Sequence, residues 1–380
     1  MQESGNPMPT SVDARESLLF TPGPLTTSAS VKSAMSLDVG SRDTEFIEMV
    51  ADIRRRLVSL AGVDETTHTA VLMQGSGTFS LEAVLSSTVP RDGRILVVVN
   101  GAYGRRIVKI AEVLGIPTEV ITVAENRTPS PTDVEQILDE DDRITHVSVT
   151  HCETTTGIIN PVSEIGEVVH RHGRCYFVDA MSSFGAVPLS VNEAHIDYLV
   201  SSANKCIEGV PGFAFVIARL NALESTAGLA RSLSLDLNAQ YLGLEANGQF
   251  RFTPPTHALR AFHRALSELE AEGGVDGRAE RYRANHETLV AGTRRLGLIE
   301  YLDQQNQGNI ITSFRYPQQG EFNFDYFYEA LRNRGFVIYP GKVTNADCFR
   351  IGTIGRIFPD DVENLLLAIE EVLADMGIRG

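Results

Sequence analysis

An amine and a carboxylate stand at the ends of two apolar runs in this chain. Lys205 follows Tyr198-Leu-Val-Ser-Ser-Ala-Asn204, and its small neighbours leave room for a ligand. Asp179 closes the upstream run Cys175-Tyr-Phe-Val-Asp179. Burial would lower the pKa of such a lysine and free its amine to attack a carbonyl. An aspartate beside it could keep a pyridine nitrogen protonated. Together they meet the needs of pyridoxal phosphate chemistry, in which a lysine forms a Schiff base and a carboxylate holds the ring nitrogen.

Other polar residues collect at similar places. Gln74-Gly-Ser76-Gly77-Thr78 follows an apolar run and opens a helix, which suits a phosphate because free N–H groups and the helix dipole point at it. The same letters also make an ordinary N-cap. Tyr103, between Ala102 and Gly104, could stack on a flat ring or simply pack. Asp179 itself could cap the following turn, with Ser182 and Ser183 as partners. Each signal is weak alone. Their coincidence at successive run ends is what carries weight, because ligands of open parallel sheets bind outside the carboxyl ends of the strands.

The elements that must position these residues follow from periodicity. Short apolar runs over 70–73, 95–100, 119–123, 146–151, 175–179, 198–202 and 213–218 read as strands. Amphipathic patterns over 105–114, 132–138 and 162–172 read as helices between them. The alternation predicts an α/β fold with a mostly parallel central sheet flanked by helices. Helical patterns continue over 258–272 and from 278 to 296. Beyond them come a strand at 309–315, a helix at 325–334, strands at 336–339 and 348–351, and a helix at 359–374, a smaller α+β domain. The expected division is a flexible extension over 1–17, a large domain over 18–280 and a small one over 281–380. Residues 18–41, rich in Pro, Gly, Ser and Thr, are expected to be an extended arm lying over the large domain.

At 380 residues, with 43% hydrophobic and 22% charged, the chain can build a large core. Its net charge of -16 argues against nucleic acid or an anionic membrane as partner. An anionic substrate would need a local positive pocket. Four cysteines without CxxC spacing suggest buried thiols in a reducing compartment, and no metal is expected. Residues 1–17 are polar and carry acids, unlike a signal peptide, and no apolar run reaches spanning length. A cytoplasmic protein is the expectation.

The chain resembles the fold-type I, class V pyridoxal phosphate-dependent aminotransferases. The likeness rests on Leu19-Phe-Thr-Pro-Gly-Pro-Leu-Thr-Thr27, Gln74-Gly-Ser-Gly77, Asn100-Gly-Ala-Tyr-Gly104, Glu153-Thr-Thr-Thr-Gly157 and Val178-Asp-Ala-Met-Ser-Ser-Phe184. It continues through Ser201-Ser-Ala-Asn-Lys-Cys206, Arg231-Ser-Leu-Ser-Leu-Asp236, Phe336-Val-Ile-Tyr-Pro-Gly-Lys342 and Cys348-Phe-Arg-Ile-Gly352. Within the class it is most similar to the members that use 2-aminoethylphosphonate and pyruvate. The resemblance implies Lys205 as the Schiff-base lysine, Asp179 as partner of the ring nitrogen and Tyr103 as the stacking aromatic. It implies Ser76, Gly77 and Thr78 as the phosphate turn, with Asn204 nearby, and Thr155 as a hydroxyl near the cofactor's phenolic oxygen. Thr253 matches a threonine that reaches the phosphate of a partner subunit, so a homodimer with shared sites is implied. Arg350 matches the arginine that grips the substrate's acid group. Its position in a strand-like run would also suit a structural ion pair. Gly40-Ser41-Arg42 departs from the Gly-His-Arg of many relatives and leaves Arg42 as a secondary substrate contact.

Other class V activities, of the alanine–glyoxylate or serine–pyruvate type, are the nearest alternatives. A cysteine desulfurase would need a nucleophilic thiol on a mobile loop, and Cys348 lies between strand-like neighbours. A non-catalytic cofactor-binding domain fits poorly with a lysine, aspartate and arginine all in place.

Overall fold

The computed structural model describes residues 16–378, so residues 1–15 of the expected extension lie outside the described residues. The segment after them forms β1 (Leu18–Leu19) and α1 (Ala29–Met35). There follow α2 (Thr44–Leu60), β2 (His68–Gln74), α3 (Gly77–Thr88), β3 (Arg94–Val99), α4 (Ala102–Val113), β4 (Thr118–Thr122) and α5 (Pro131–Glu140). Next come β5 (Ile144–Thr150), the hairpin of β6 (Cys152–Glu153) and β7 (Ile158–Ile159), α6 (Val162–Arg171), β8 (Cys175–Asp179) and β9 (Tyr198–Ser202). Then β10 (Phe213–Arg219), α7 (Leu220–Glu224), α8 (Leu237–Asn247) and α9 (Thr256–Ala271) complete the larger part.

Its sheet has seven strands in the order β2-β10-β9-β8-β5-β3-β4. All neighbours pair in parallel except β10, which is antiparallel to both β2 and β9. Continuous apolar runs such as Leu96-Val97-Val98 are buried on both faces, as a sheet covered by helices on each side requires. In α6 the expected stripe of Val162, Ile165, Val168 and Val169 is buried.

The second body starts from α10 (Gly274–Arg295), and the junction expected near residues 278–285 falls inside this continuous helix. Its buried Leu289 joins the core formed by β11 (Ile311–Arg315), α11 (Phe324–Asn333), β14 (Cys348–Gly352) and α12 (Pro359–Asp375), which centres on Phe314, Phe327, Phe349, Leu365 and Ile369. The strand expected over 336–339 is two strands. β12 (Phe336–Val337) pairs in parallel with β1, whereas β13 (Tyr339–Pro340) joins β11 and β14 in a three-stranded antiparallel sheet. The chain changes partners at Ile338, whose side chain is fully buried.

The N-terminal arm also departs from expectation. It is not simply extended: Ser28 caps α1 by accepting from the Val31 N–H, and α1 packs on α9. Nor does it lie only over the large domain. Leu18-Leu19 adds a strand beside Phe336-Val337, and Phe20 is fully buried in the small domain's core. An edge strand with free N–H and C=O groups accepts another strand readily, and Phe20 gains apolar burial by it. Phe20→Ala is expected to cost about 3 kcal/mol or more, read as a lower urea midpoint for the small domain. An unchanged midpoint would show that the arm does not belong to that core.

Candidate active site

The carboxyl ends of β2, β3, β5, β8 and β9 converge on one edge of the sheet, because parallel neighbours all point the same way. The turn after β9 carries Lys205, whose Nζ donates to the Pro22 carbonyl at 2.6 Å and lies 3.3 Å from that of Gly23. The arm thus reaches the lysine from the small domain's side. Gly23 has φ +109°, and a Cβ there would fall 2.6 Å from Lys205 Cδ, so both backbone and space demand glycine. Burial lowers the Lys205 pKa against the opposing influence of Tyr103, Cys206 and Asp179.

The same turn is gripped from beneath. The Glu208 N–H donates to the Lys205 carbonyl at 2.7 Å, and Glu208 Oε1 accepts from Arg281 Nη2 and from the Tyr282 hydroxyl, each at 2.7 Å. Arg278 donates to the Cys206 carbonyl and lies 3.4 Å from the same carboxylate oxygen. Glu272 accepts from both arginines.

Asp179 ends β8 and is 1% exposed. Its Oδ1 accepts from the Met181 N–H at 3.0 Å, while Oδ2 has no hydrogen-bond partner among the described residues. The nearest cation to Oδ2 is Arg106 Nη2, at 3.7 Å. Burial raises the Asp179 pKa, with Arg106, the Met181 N–H and Lys205 opposing. A buried carboxylate oxygen without a donor is costly unless a ligand supplies one.

Ser76 stands at the N-cap of α3, exposed, and its side chain does not cap its own helix. The first-turn N–H groups therefore remain available to an anion. Gly77 is buried, and a Cβ there would run into the Met181 sulfur. The Thr78 hydroxyl accepts from Arg106 Nη1 at 3.2 Å. Asn204 accepts from Ser202 Oγ at 3.0 Å.

Tyr103 opens α4, and its ring lies 4.7 Å from both the Arg106 Cζ and the Lys342 Nζ. Burial would raise the phenol, but Thr154 and the charges of Lys205, Lys342 and Arg350 outweigh it and hold the pKa below the ordinary tyrosine value. Arg350, on β14, is 3% exposed and donates to the Pro340 carbonyl at 2.9 Å and the Thr154 carbonyl at 2.8 Å. Among the described residues it makes no ion pair, so the structural salt bridge is not what holds it.

Thr155 behaves differently from its expected role. It is fully buried and its hydroxyl proton is committed to Glu153 Oε1 at 2.7 Å, while the oxygen accepts from the Ala102 N–H at 2.8 Å. Glu153, which the sequence offered within a run but not as a site residue, also accepts from the N–H groups of Tyr103, Gly104 and Thr155. A carboxylate at the start of α4 suits the helix dipole and fixes the backbone of Tyr103. Arg106 and Lys342 were missed too. Arg106 lies three residues beyond Tyr103, one helical turn, and that spacing could have found it. Lys342 ends a run singled out for other reasons.

Two expected residues stay apart from this group within one chain. Arg42 is exposed in the turn before α2 and makes no hydrogen bond or ion pair among the described residues. Thr253 is exposed, with only its carbonyl engaged, by Gln74 Nε2 at 3.3 Å.

The residues present fit pyridoxal phosphate: a buried lysine of lowered pKa, an undonated carboxylate oxygen for a ring N–H, an aromatic face and a helix N-terminus for a phosphate. The family model for class-V aminotransferases matches residues 26–344, and the chain belongs to that family. It is 51% identical over 360 residues to a 2-aminoethylphosphonate–pyruvate transaminase of Vibrio vulnificus, covering 94% of this chain and 98% of the relative. A protein of the same name from Bacillus cytotoxicus is 52% identical over 355 residues, covering 93% and 97%. Among solved structures, an alanine–glyoxylate aminotransferase of Nostoc sp. superposes with TM-score 0.87 at 24% identity, covering 97% of each chain. Pyridoxamine–pyruvate aminotransferase of Mesorhizobium loti also gives 0.87, at 23% identity, covering 97% of this chain and 94% of that one. At such identities these two likenesses speak for the fold.

His151, just past β5, shares a hydrogen bond of 2.9 Å between its ring Nδ1 and Ser183 Oγ, and its backbone N–H donates to the Asp179 carbonyl. Burial pushes its pKa down to about 4. The unfolded chain, with an ordinary histidine near 6.5, binds the proton first as pH falls. The stability held by neutral His151 is therefore complete above about pH 6.5 and drains away toward pH 4. His151→Asn should flatten the fall in urea midpoint between pH 7 and pH 5. An equally steep fall in the variant would show that His151 titrates freely.

Proposed function

We propose that this chain is a pyridoxal phosphate-dependent transaminase that transfers the amino group of 2-aminoethylphosphonate to pyruvate, giving phosphonoacetaldehyde and L-alanine, in the degradation of phosphonates. The carrying observation is Asp179, buried beside Lys205 with one carboxylate oxygen lacking a donor. The choice of substrates is supported by the printed names of relatives about half identical over nearly the whole chain.

When bound, pyridoxal phosphate supplies an aldehyde that captures amines and a ring that spreads the charge left when a C–H proton departs. The protein's residues do the rest. Asp179 Oδ2 accepts from the ring nitrogen and keeps its proton in place. This matters for a donor that carries no carboxylate on its amine-bearing carbon. Ser76, Gly77 and Thr78 hold the phosphate at the start of α3, with Asn204 beside the lysine. Tyr103 braces the ring, and Glu153, with Thr155, fixes the helix end that carries Tyr103. Lys205, uncharged at lower pH than a free lysine, would take the proton from the substrate's amine-bearing carbon and deliver it to the cofactor's aldehyde-derived carbon across the nitrogen, as general base and then acid. Arg350 binds the phosphonate of one substrate and the carboxylate of the other, since a guanidinium fork accommodates either. Lys342, beside Tyr103, adds a cation for the phosphonate's greater charge; Arg42 is a more distant second.

The functional unit is a homodimer in which Thr253 reaches the partner's cofactor phosphate. Its exposure in a single chain, next to Phe252 at 44% exposure, accords with a surface awaiting cover. The large domain then spans residues 18–280 and the small one 281–380. The free cysteines among the described residues suit a reducing, cytoplasmic setting.

A panel of amino donors and acceptors tests the reading. 2-Aminoethylphosphonate with pyruvate should be turned over best; a preference for alanine or serine with glyoxylate would reassign the enzyme within its class. Lys205→Ala should lower the rate about a thousandfold or more. In Arg350→Lys the KM for both substrates should rise about tenfold. Borohydride treatment of the loaded protein should fix the cofactor to Lys205, as read by peptide mass. Sedimentation equilibrium should return twice the chain mass, and a monomer with full activity would sink the shared site.

A further inference from the structure

Arg106 meets three parts of the site at once. Its Nη1 is 3.2 Å from Thr78 Oγ1, at the start of α3. Its Nη2 is 3.7 Å from Asp179 Oδ2, and its Cζ is 4.7 Å from the Tyr103 ring centre. On the preceding reading these neighbours serve the cofactor's phosphate, its ring nitrogen and its ring face. The guanidinium therefore lies between the three groups that this reading assigns to the cofactor.

Two polar atoms here lack hydrogen-bond partners among the described residues. Arg106 Nε is buried without a hydrogen-bond partner, as is Asp179 Oδ2, which meets the arginine only at ion-pair distance. Two groups left short of partners in low dielectric gain by exchanging each other for better ones. The arriving cofactor offers both: a ring N–H for the carboxylate, and a phosphate of about two negative charges for the guanidinium. A chain of net charge -16 repels such an anion overall, so a cation at the phosphate turn has a clear use.

We infer that Arg106 is a cofactor-binding residue that neutralises Asp179 in the cofactor-free protein and moves to the phosphate when pyridoxal phosphate enters. The inference rests on the transaminase reading above. It makes the arginine a placeholder whose guanidinium gives up Oδ2 to the ring N–H and keeps its contact at Thr78. Affinity for the phosphorylated cofactor then depends on Arg106, whereas affinity for the phosphate-free ring does not, because there the arginine only competes.

The test is equilibrium titration of cofactor-stripped protein with pyridoxal phosphate and, separately, with pyridoxal, followed by absorbance in wild type, R106Q and R106K. In R106Q the dissociation constant for pyridoxal phosphate should rise about tenfold or more, the loss expected of one charge-assisted contact. That for pyridoxal should stay level or fall. R106K, which keeps the charge but cannot span both ends, should lie between the two for pyridoxal phosphate and match wild type for pyridoxal. Parallel losses for both ligands, or unchanged pyridoxal phosphate binding, would overturn the role. If R106Q does not fold, judged by its far-ultraviolet spectrum, R106K alone decides by the same comparison. Failure of the unaltered protein to take up either ligand would instead overturn the transaminase reading, and this inference with it.

Discussion

The buried cluster of Glu208, Arg278, Arg281, Tyr282 and Glu272 is the constraint on which the rest turns. It lies beneath the Lys205 turn and ties three pieces of chain together. Glu208 belongs to the turn, the arginines and Tyr282 to α10, and Arg281 reaches on to the Gly355 and Ile357 carbonyls of the small domain. Glu208 itself has φ +64°, a left-handed backbone that costs a non-glycine residue about 1–3 kcal/mol. Desolvating several charges is expensive as well, and replacing such groups with apolar ones can be neutral or even stabilising. What the cluster gives is geometry: losing one member would leave the others buried and uncompensated, so the turn has one favourable arrangement. The position of the Lys205 amine follows from it.

That geometry explains how charge is distributed in an acidic protein. Lys205, Arg350 and Lys342 all act on the Tyr103 phenol, drawing its pKa down despite burial. Glu153 and Asp179 lie close to the same group, one satisfied by four donors and one left short. Charges of both signs in low dielectric make a strong local field. Such a field favours a substrate carrying an amine at one end and an anion at the other.

Much of this was legible in the sequence. The strands announced themselves because residues such as Val97 and Val178 are buried on both faces, and local composition reports that directly. Lys205 and Asp179 stood out because a charge ending an apolar run has few bland explanations. The arm was misread for the opposite reason. Leu18-Leu19 is a strand only because Phe336-Val337 offers an edge far along the chain, and α1 is a short polar helix held by one serine cap and by α9. The break at Ile338 has the same origin: two partners compete for one run, and neither is local. Glu153 and Arg106 were invisible as site residues because their roles lie in contacts between elements, not in any pattern along one.

The pairing of Leu18 with Phe336 also bears on how the protein is made. Almost the whole chain must leave the ribosome before β12 exists to receive the arm. The central sheet, with its lysine and carboxylate, is complete in sequence more than a hundred residues earlier. During synthesis the nascent large domain would therefore hold the Lys205 amine without the Pro22 and Gly23 carbonyls that later accept its hydrogens. Contacts so distant in sequence close late because the loop entropy must be met first. The first of the described residues to be translated are thus among the last to find their place, and Lys205 has all its hydrogen-bond partners only when the chain is nearly finished.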